Sequence, residues 1–198
     1  MINEPLSPEL RAAISALRNA RLNTEDGMPE DLFLLLSGLI PISNVDLLIT
    51  DSRNQLLLSR RNDGYYEKSW HIPGGCMRYG DSFERRIQAT AIRELGTSVL
   101  TDGWPIAVRN VLRGVNPEQT YPRERGHNVA ILFACRLPEG FQISNEGRGE
   151  NDDGFLRWFD HLPPDFMKIQ HVYDDVLTPW LDRTDLGQHC GPKPCAAL

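Results

Sequence analysis

Residues 70–97 read WHIPGGCMRYGDSFERRIQATAIRELGT, and the rest of the chain is arranged around them. Trp70–Ile72 reads as a short strand, Pro73-Gly74-Gly75 as a turn, and Cys76–Asp81 as a loop leading into a helix that closes at Gly96. Asp81 stands three residues before Glu84, a spacing that resembles a capping box, and glycine tolerates the left-handed conformation that follows a helix end. At about 100° per residue, Phe83, Ile87 and Ala91 share one side of this helix, and Glu94 falls at nearly the same azimuth. A carboxylate in the last turn opposes the helix dipole and calls for a cation. Spacing alone leaves open whether that cation is a metal, an arginine, or no partner beyond water.

A strand, a PGG turn, a loop and a helix ending in Glu94-Leu95-Gly96 resemble the Nudix box. That box runs Gly, five residues, Glu, seven residues, Arg-Glu, an aliphatic residue, any residue, Glu-Glu, any residue, Gly, and an aliphatic residue. On this chain Gly75 opens it, Asp81 takes the first Glu position, Glu94 is the second of the Glu-Glu pair, and Gly96 is the last glycine. Ala89 and Thr90 stand at the Arg-Glu positions, Arg93 replaces the first Glu of the pair, and Thr97 ends the run. A reduced box of this kind is similar to that of the GDP-mannose mannosyl hydrolase branch. The flanks LIPISNVDLLITDSRNQLLLSRR, GHNVAILFACRL (126–137) and DGFLRWF (153–159) are similar to the same branch, so the resemblance covers residues 29–182. It departs from the branch at Cys76 and Ala89, where the branch carries arginines.

A net charge of −6 argues against unspecific nucleic-acid binding, which needs basic surface to neutralise phosphates. It leaves room for a nucleotide held by a local group of arginines. Hydrophobic content of 40% and charged content of 24% suit a globular domain. With no basic-plus-apolar leader and its longest apolar run at Leu32–Leu36, the chain is expected to be cytoplasmic and without a membrane partner. Cys76, Cys135, Cys190 and Cys195 suggest no disulfide framework, and Cys135, in an apolar run, reads as a buried thiol.

Three parts are expected: an N-terminal helical extension (1–28), the main domain (29–183) and a polar tail (184–198). Ser7-Pro8-Glu9 is a helix start with Leu10, Ile14 and Leu17 as its apolar stripe, and a second helix begins near Pro29. Ile42–Ile49 reads as a strand covered on both faces, with Asp46 as its polar interruption. Asp46 belongs either at the rim of an active site or against a neighbouring backbone group or arginine. Asp51–Asn54 is a turn, and Gln55–Ser59 the return strand of a hairpin running into Arg60-Arg61. Trp104–Leu112 is a strand. A long polar loop then carries Arg113, Tyr121, Arg123 and Arg125, residue types that clamp phosphates and stack on bases. His127 opens the apolar run Val129–Cys135, Leu156–Phe159 is a last strand, and His171–Leu181 a closing helix.

The resemblance implies an α/β fold, a Nudix α/β/α sandwich with a mixed central sheet. It implies hydrolysis of a nucleotide sugar, GDP-mannose first, by a Mg²⁺-dependent (or Mn²⁺-dependent) homodimer. Glu94 and the Gly75 carbonyl would hold the metal, and His127 would act as general base. Arg61 and Asp46 complete the expected catalytic set, and Arg61, Arg78, Arg113, Tyr121, Arg123 and Arg125 the substrate-binding set. Two other readings stay open: cleavage at phosphorus by a Nudix pyrophosphatase, and a non-catalytic nucleotide-binding module.

Overall fold

The computed structural model describes residues 5–20, 27–64, 66–112 and 126–182. In chain order the elements are α1 (Pro8–Asn19), α2 (Glu30–Leu39), β1 (Ile42–Ile49), β2 (Leu56–Arg61), β3 (Ser69–His71) and β4 (Gly74–Cys76). Then follow α3 (Phe83–Leu95), β5 (Leu100–Leu112), β6 (His127–Arg136), β7 (Leu156–Phe159), a 3-10 turn (Lys168–Tyr173) and α4 (Asp174–Leu181). One sheet has the order β4-β1-β6-β5 and a second the order β3-β2-β7. The β1–β6 pair is parallel and the other pairs of named strands are antiparallel, so the larger sheet is mixed, as expected.

Alternation along the two parallel strands builds two cores. Val45, Leu47 and Ile49 of β1 and Ile131, Phe133 and Cys135 of β6 face Ile87, Ala91 and Leu95 of α3. On the opposite face, Leu48, Ala130 and Leu132 meet Trp70, Ile72, Phe166, Tyr173 and Leu177. Helices thus cover both faces, giving the α/β/α layering. The Cys135 thiol is buried, and burial pushes its pKa up to about 12.

The box helix departs from its expected start. Its N-cap is Ser82, whose hydroxyl accepts from Arg85 N at 3.1 Å. Asp81 instead ties the preceding loop to the helix: Oδ2 accepts from Arg78 N at 2.8 Å and from Arg86 Nε at 2.7 Å. Gly96 closes the helix at φ +73°, as glycine allows. Ile87 and Ala91 are fully buried, whereas Phe83 is 41% exposed and reaches the core by its ring contact with Phe133.

Three further readings are corrected. The PGG segment is not only a turn, because Gly74–Cys76 forms a short strand on β1. β1 and β2 are not a paired hairpin, since they lie in different sheets and meet at one bridge, Thr50 to Leu56. The closing helix begins as a 3-10 turn before α4. Among the described residues no helix is long and apolar enough to cross a membrane.

Candidate active site

At the N-terminal ends of β1 and β6 the face that carries Leu48 and Leu132 turns polar. Asn44 and Asp46 of β1 and Asn128 of β6 point to the same side as those core residues. In the second sheet, Ser59 lies opposite His71 and Arg61 opposite Ser69. Asn44, Asp46, Asn128, Ser59, His71 and Arg61 converge on one cavity of about 620 Å³, walled further by Gly74–Met77 of the box and by Arg93 and Glu94 of α3. Phe33, Leu36 and Ile40 of the α2 segment line it as well, beside Met28 and Tyr79. The cavity therefore has apolar and aromatic wall together with a polar, arginine-bearing one.

Asp46 is 4% exposed, and its only described polar partner is the Tyr173 hydroxyl, which donates to Oδ2 at 2.8 Å. Burial raises its pKa to about 7, against the smaller opposing effect of that hydrogen bond. His71 is buried as well, and loss of solvation lowers its pKa, so the ring is neutral at pH 7. Its Nδ1 lies 2.9 Å from Ile72 O, an atom that can only accept. The ring proton is therefore on Nδ1 and the lone pair on Nε2. Asn44 Oδ1 and Ser59 Oγ are buried without a hydrogen-bond partner among the described residues, and both residues border the same space. Gln170 holds β3 in place by accepting from Ile72 N at 2.8 Å and donating to Ile72 O at 3.3 Å.

Arg61, Arg78, Asp46, Gly75 and Glu94, all expected at the site, line this cavity. Arg61 donates through Nε to Asp63 at 2.7 Å and lies over the Tyr66 ring at 4.2 Å, so it is held rather than free. Asn128 is among the lining residues described and His127 is not. One residue along a strand reverses the face, and His127 Nε2 sits 2.6 Å from Asn110 Oδ1 instead. Arg113, Tyr121, Arg123 and Arg125 lie outside the described residues. From the sequence, none of His71, Arg93, Asn128 and Tyr173 is placed at the site, although Arg93 is marked as the replacement for an acidic box residue.

Glu94 accepts at Oε1 from Arg93, at 2.8 Å from Nη2 and 3.1 Å from Nε, and the same Nη2 donates to Gly74 O at 2.7 Å. A magnesium ion takes about six oxygen ligands in near-octahedral geometry. Here one carboxylate and one carbonyl are presented together, both already accepting from a guanidinium. Among the described residues no three His, Cys, Asp or Glu side chains gather in a way that could hold a metal ion. In this arrangement the side chains present do not fit the resident cation that the resemblance implies.

Comparison with known proteins agrees with this fold. None of the curated proteins matches. Among solved structures, one described as a possible asymmetric diadenosine tetraphosphate hydrolase from Jonesia denitrificans is 14% identical, with a TM-score of 0.53 over 72% of this chain and 96% of that one. A MutT NUDIX hydrolase from Burkholderia pseudomallei is 19% identical, with a TM-score of 0.50 over 69% of this chain and 98% of that one. At such identities the likeness is one of fold. A model of the NUDIX domain matches residues 41–176, which run from the start of β1 into α4 and include every described cavity residue except Gly27, Met28 and those of the α2 segment. The chain belongs to the Nudix family.

Proposed function

We propose that this Nudix protein hydrolyses a nucleoside-diphosphate sugar, GDP-mannose first, by water attack at the anomeric carbon, releasing the nucleoside diphosphate intact. The observation that carries this reading is the placement of neutral His71 in one cavity with Arg61, Arg78 and Arg93. Attack at phosphorus draws on metal ions to neutralise charge at the reacting phosphoryl group. Nudix hydrolases generally use divalent ions such as Mg²⁺, yet the carboxylates that would gather them are replaced here by Thr90 and Arg93. Attack at carbon moves the developing negative charge onto the departing diphosphate, where arginine side chains meet it by paired, charge-assisted hydrogen bonds.

In this reading His71 Nε2 takes the proton of the attacking water. Arg61, Arg78 and Arg93 face the diphosphate, and the apolar wall from α2 and Tyr79 accepts the nucleoside. His71 replaces His127 as base because it lines the cavity and holds its lone pair on Nε2. A homodimer built through α1 and α2 is part of the same proposal. It is supported by the apolar side chains that those helices leave exposed, Leu10 and Leu17 on α1 and Leu35 and Leu39 on α2.

The test is turnover of a nucleotide-sugar panel, led by GDP-mannose, in ¹⁸O-water with and without Mg²⁺, with products resolved by mass spectrometry. Labelled free sugar with unlabelled nucleoside diphosphate is expected. In the same assay His71→Gln is expected to lower kcat by a factor on the order of 10² to 10⁴, the usual contribution of a general base. Label in a nucleoside monophosphate or sugar phosphate would move the reaction to phosphorus. No turnover across the panel would leave a binding module.

A further inference from the structure

The two box positions that keep a carboxylate, of the four acidic ones in the pattern, are both bound to arginines. Asp81, at the first acidic position, accepts from the buried Arg86, and Glu94, at the last, accepts twice from Arg93. The second pairing is special in what else it includes. Arg93 Nη2 reaches both Glu94 Oε1 at 2.8 Å and the carbonyl of Gly74 at 2.7 Å. A carboxylate and a glycine carbonyl are the donor types that the resemblance implies for a divalent ion, with Gly74 supplying the carbonyl in place of its neighbour Gly75. Gly75 allows the approach: a Cβ there would stand 3.1 Å from Nη2 and 2.7 Å from Thr90 Oγ1.

We propose that the Arg93 guanidinium is the resident cation of this site, seated between Glu94 and the Gly74 carbonyl in place of a divalent metal. A guanidinium keeps its charge at any working pH and offers five donors in a plane. Nη2 and Nε are engaged by the two acceptors, while Nη1 is engaged by neither, and the side chain is half exposed on the cavity wall. Arg93 can therefore keep its seat and still present a donor to an anionic oxygen of a ligand. A metal entering here would have to displace a positive charge from the Glu94 carboxylate. Its contact with a diphosphate rests on the substrate reading above; its exclusion of metal does not.

The experiment is Mn²⁺ titration of the full chain by electron paramagnetic resonance, beside calorimetric titration with GDP in EDTA. Arg93→Glu is expected to bind Mn²⁺ at least about tenfold tighter than the wild type, a difference readily resolved in Kd. Arg93→Gln, which removes the cation and adds no charge, is expected to fall between them and carries the test should Arg93→Glu fail to fold. Wild-type Mn²⁺ binding as tight as in both variants would overturn the proposal. In EDTA the wild type is expected to bind GDP, and Arg93→Gln to bind it about tenfold more weakly. Equal GDP affinity of the two proteins would overturn the role of Arg93 towards the diphosphate. Absence of GDP binding together with the expected Mn²⁺ contrast would overturn the substrate reading and leave Arg93 as the cation that excludes metal.

Discussion

Asp46 shows how one buried carboxylate ties stability to the site. Its pKa is about 7 in the folded chain and 3.8 when solvated, so between those values the folded state holds a proton that the unfolded state has lost. Unfolding then releases a proton, and stability falls as pH rises from about 4 to about 7, by on the order of 4 kcal/mol in total. Above that window the carboxylate is ionised in both states and the penalty is constant. Asp46→Asn removes the titration while its amide oxygen can still accept from Tyr173. Urea denaturation of the two proteins is expected to give similar stabilities near pH 4 and a more stable variant at pH 8. A parallel pH dependence in both would place the titrating group elsewhere. The sequence shows Asp46 as a polar break in an apolar strand but not its partner, because Tyr173 lies 127 positions away. His71 was hidden by its company: Trp70 and Ile72 mark the strand as core, and alternation sends the residue between them to the other side.

At the scale of elements, the join between β4 and α3 was the most legible part of the chain, and its atomic contacts the least. Pro73-Gly74-Gly75, the helix up to Gly96 and the inward azimuth of Ile87, Ala91 and Glu94 follow from turn chemistry and helical period. Periodicity cannot show that Gly74–Cys76 pairs with β1, because a three-residue strand of Gly-Gly-Cys has no alternating pattern to read. Nor does it show that Ser82 rather than Asp81 caps the helix, since either side chain can accept from a free backbone N–H. The β1–β2 hairpin misread two strands close in sequence as partners, when the turn between them carries the chain from one sheet to the other. The close join makes a prediction at Gly75, where the constraint is space and not backbone angle. Gly75→Ala would put a methyl 2.7 Å from Thr90 Oγ1, a buried hydroxyl with no hydrogen-bond partner among the described residues. Destabilisation of roughly 1–3 kcal/mol is expected, the usual range for overpacking. Thr90→Ala should relieve part of it, so a double-mutant cycle by chemical denaturation is expected to show coupling above about 0.5 kcal/mol. Additive effects would mean that the helix and strand have room to part.

Across the whole molecule, the cavity is assembled from segments far apart in sequence: α2, the starts of β1 and β6, the ends of β2 and β3, β4 with the loop after it, the end of α3, and the 3-10 turn before α4. The resemblance located the layer and several cavity residues, but only the parallel register of β1 and β6 brings Asn44, Asp46 and Asn128 to one face. The N-terminal helices pose the opposite problem, a pattern legible in sequence without a described partner. In α1 the Ser7 cap and Pro8 start agree with expectation, yet none of its residues is buried, and Leu10 and Leu17 are 48% and 45% exposed. Leu35, Leu39 and Ile40, in and just after α2, are more exposed still, although Phe33 and Leu36 of the same segment line the cavity. An apolar stripe left to water on two successive helices costs solubility unless a second surface covers it. A second copy is the occupant that fits the proposed homodimer, and it would set α2 between the interface and the nucleoside end of the cavity. Sedimentation equilibrium of the full chain is expected to give twice the monomer mass. Leu10→Glu with Leu17→Glu should shift the protein to monomer, since two charges on that stripe must be desolvated to pair it. If α2 transmits the interface to the cavity, the monomeric variant should also lose affinity for the nucleotide sugar at unchanged thermal stability of the core. A wild-type monomer would leave α1 as an appendage and confine the nucleotide site to one chain.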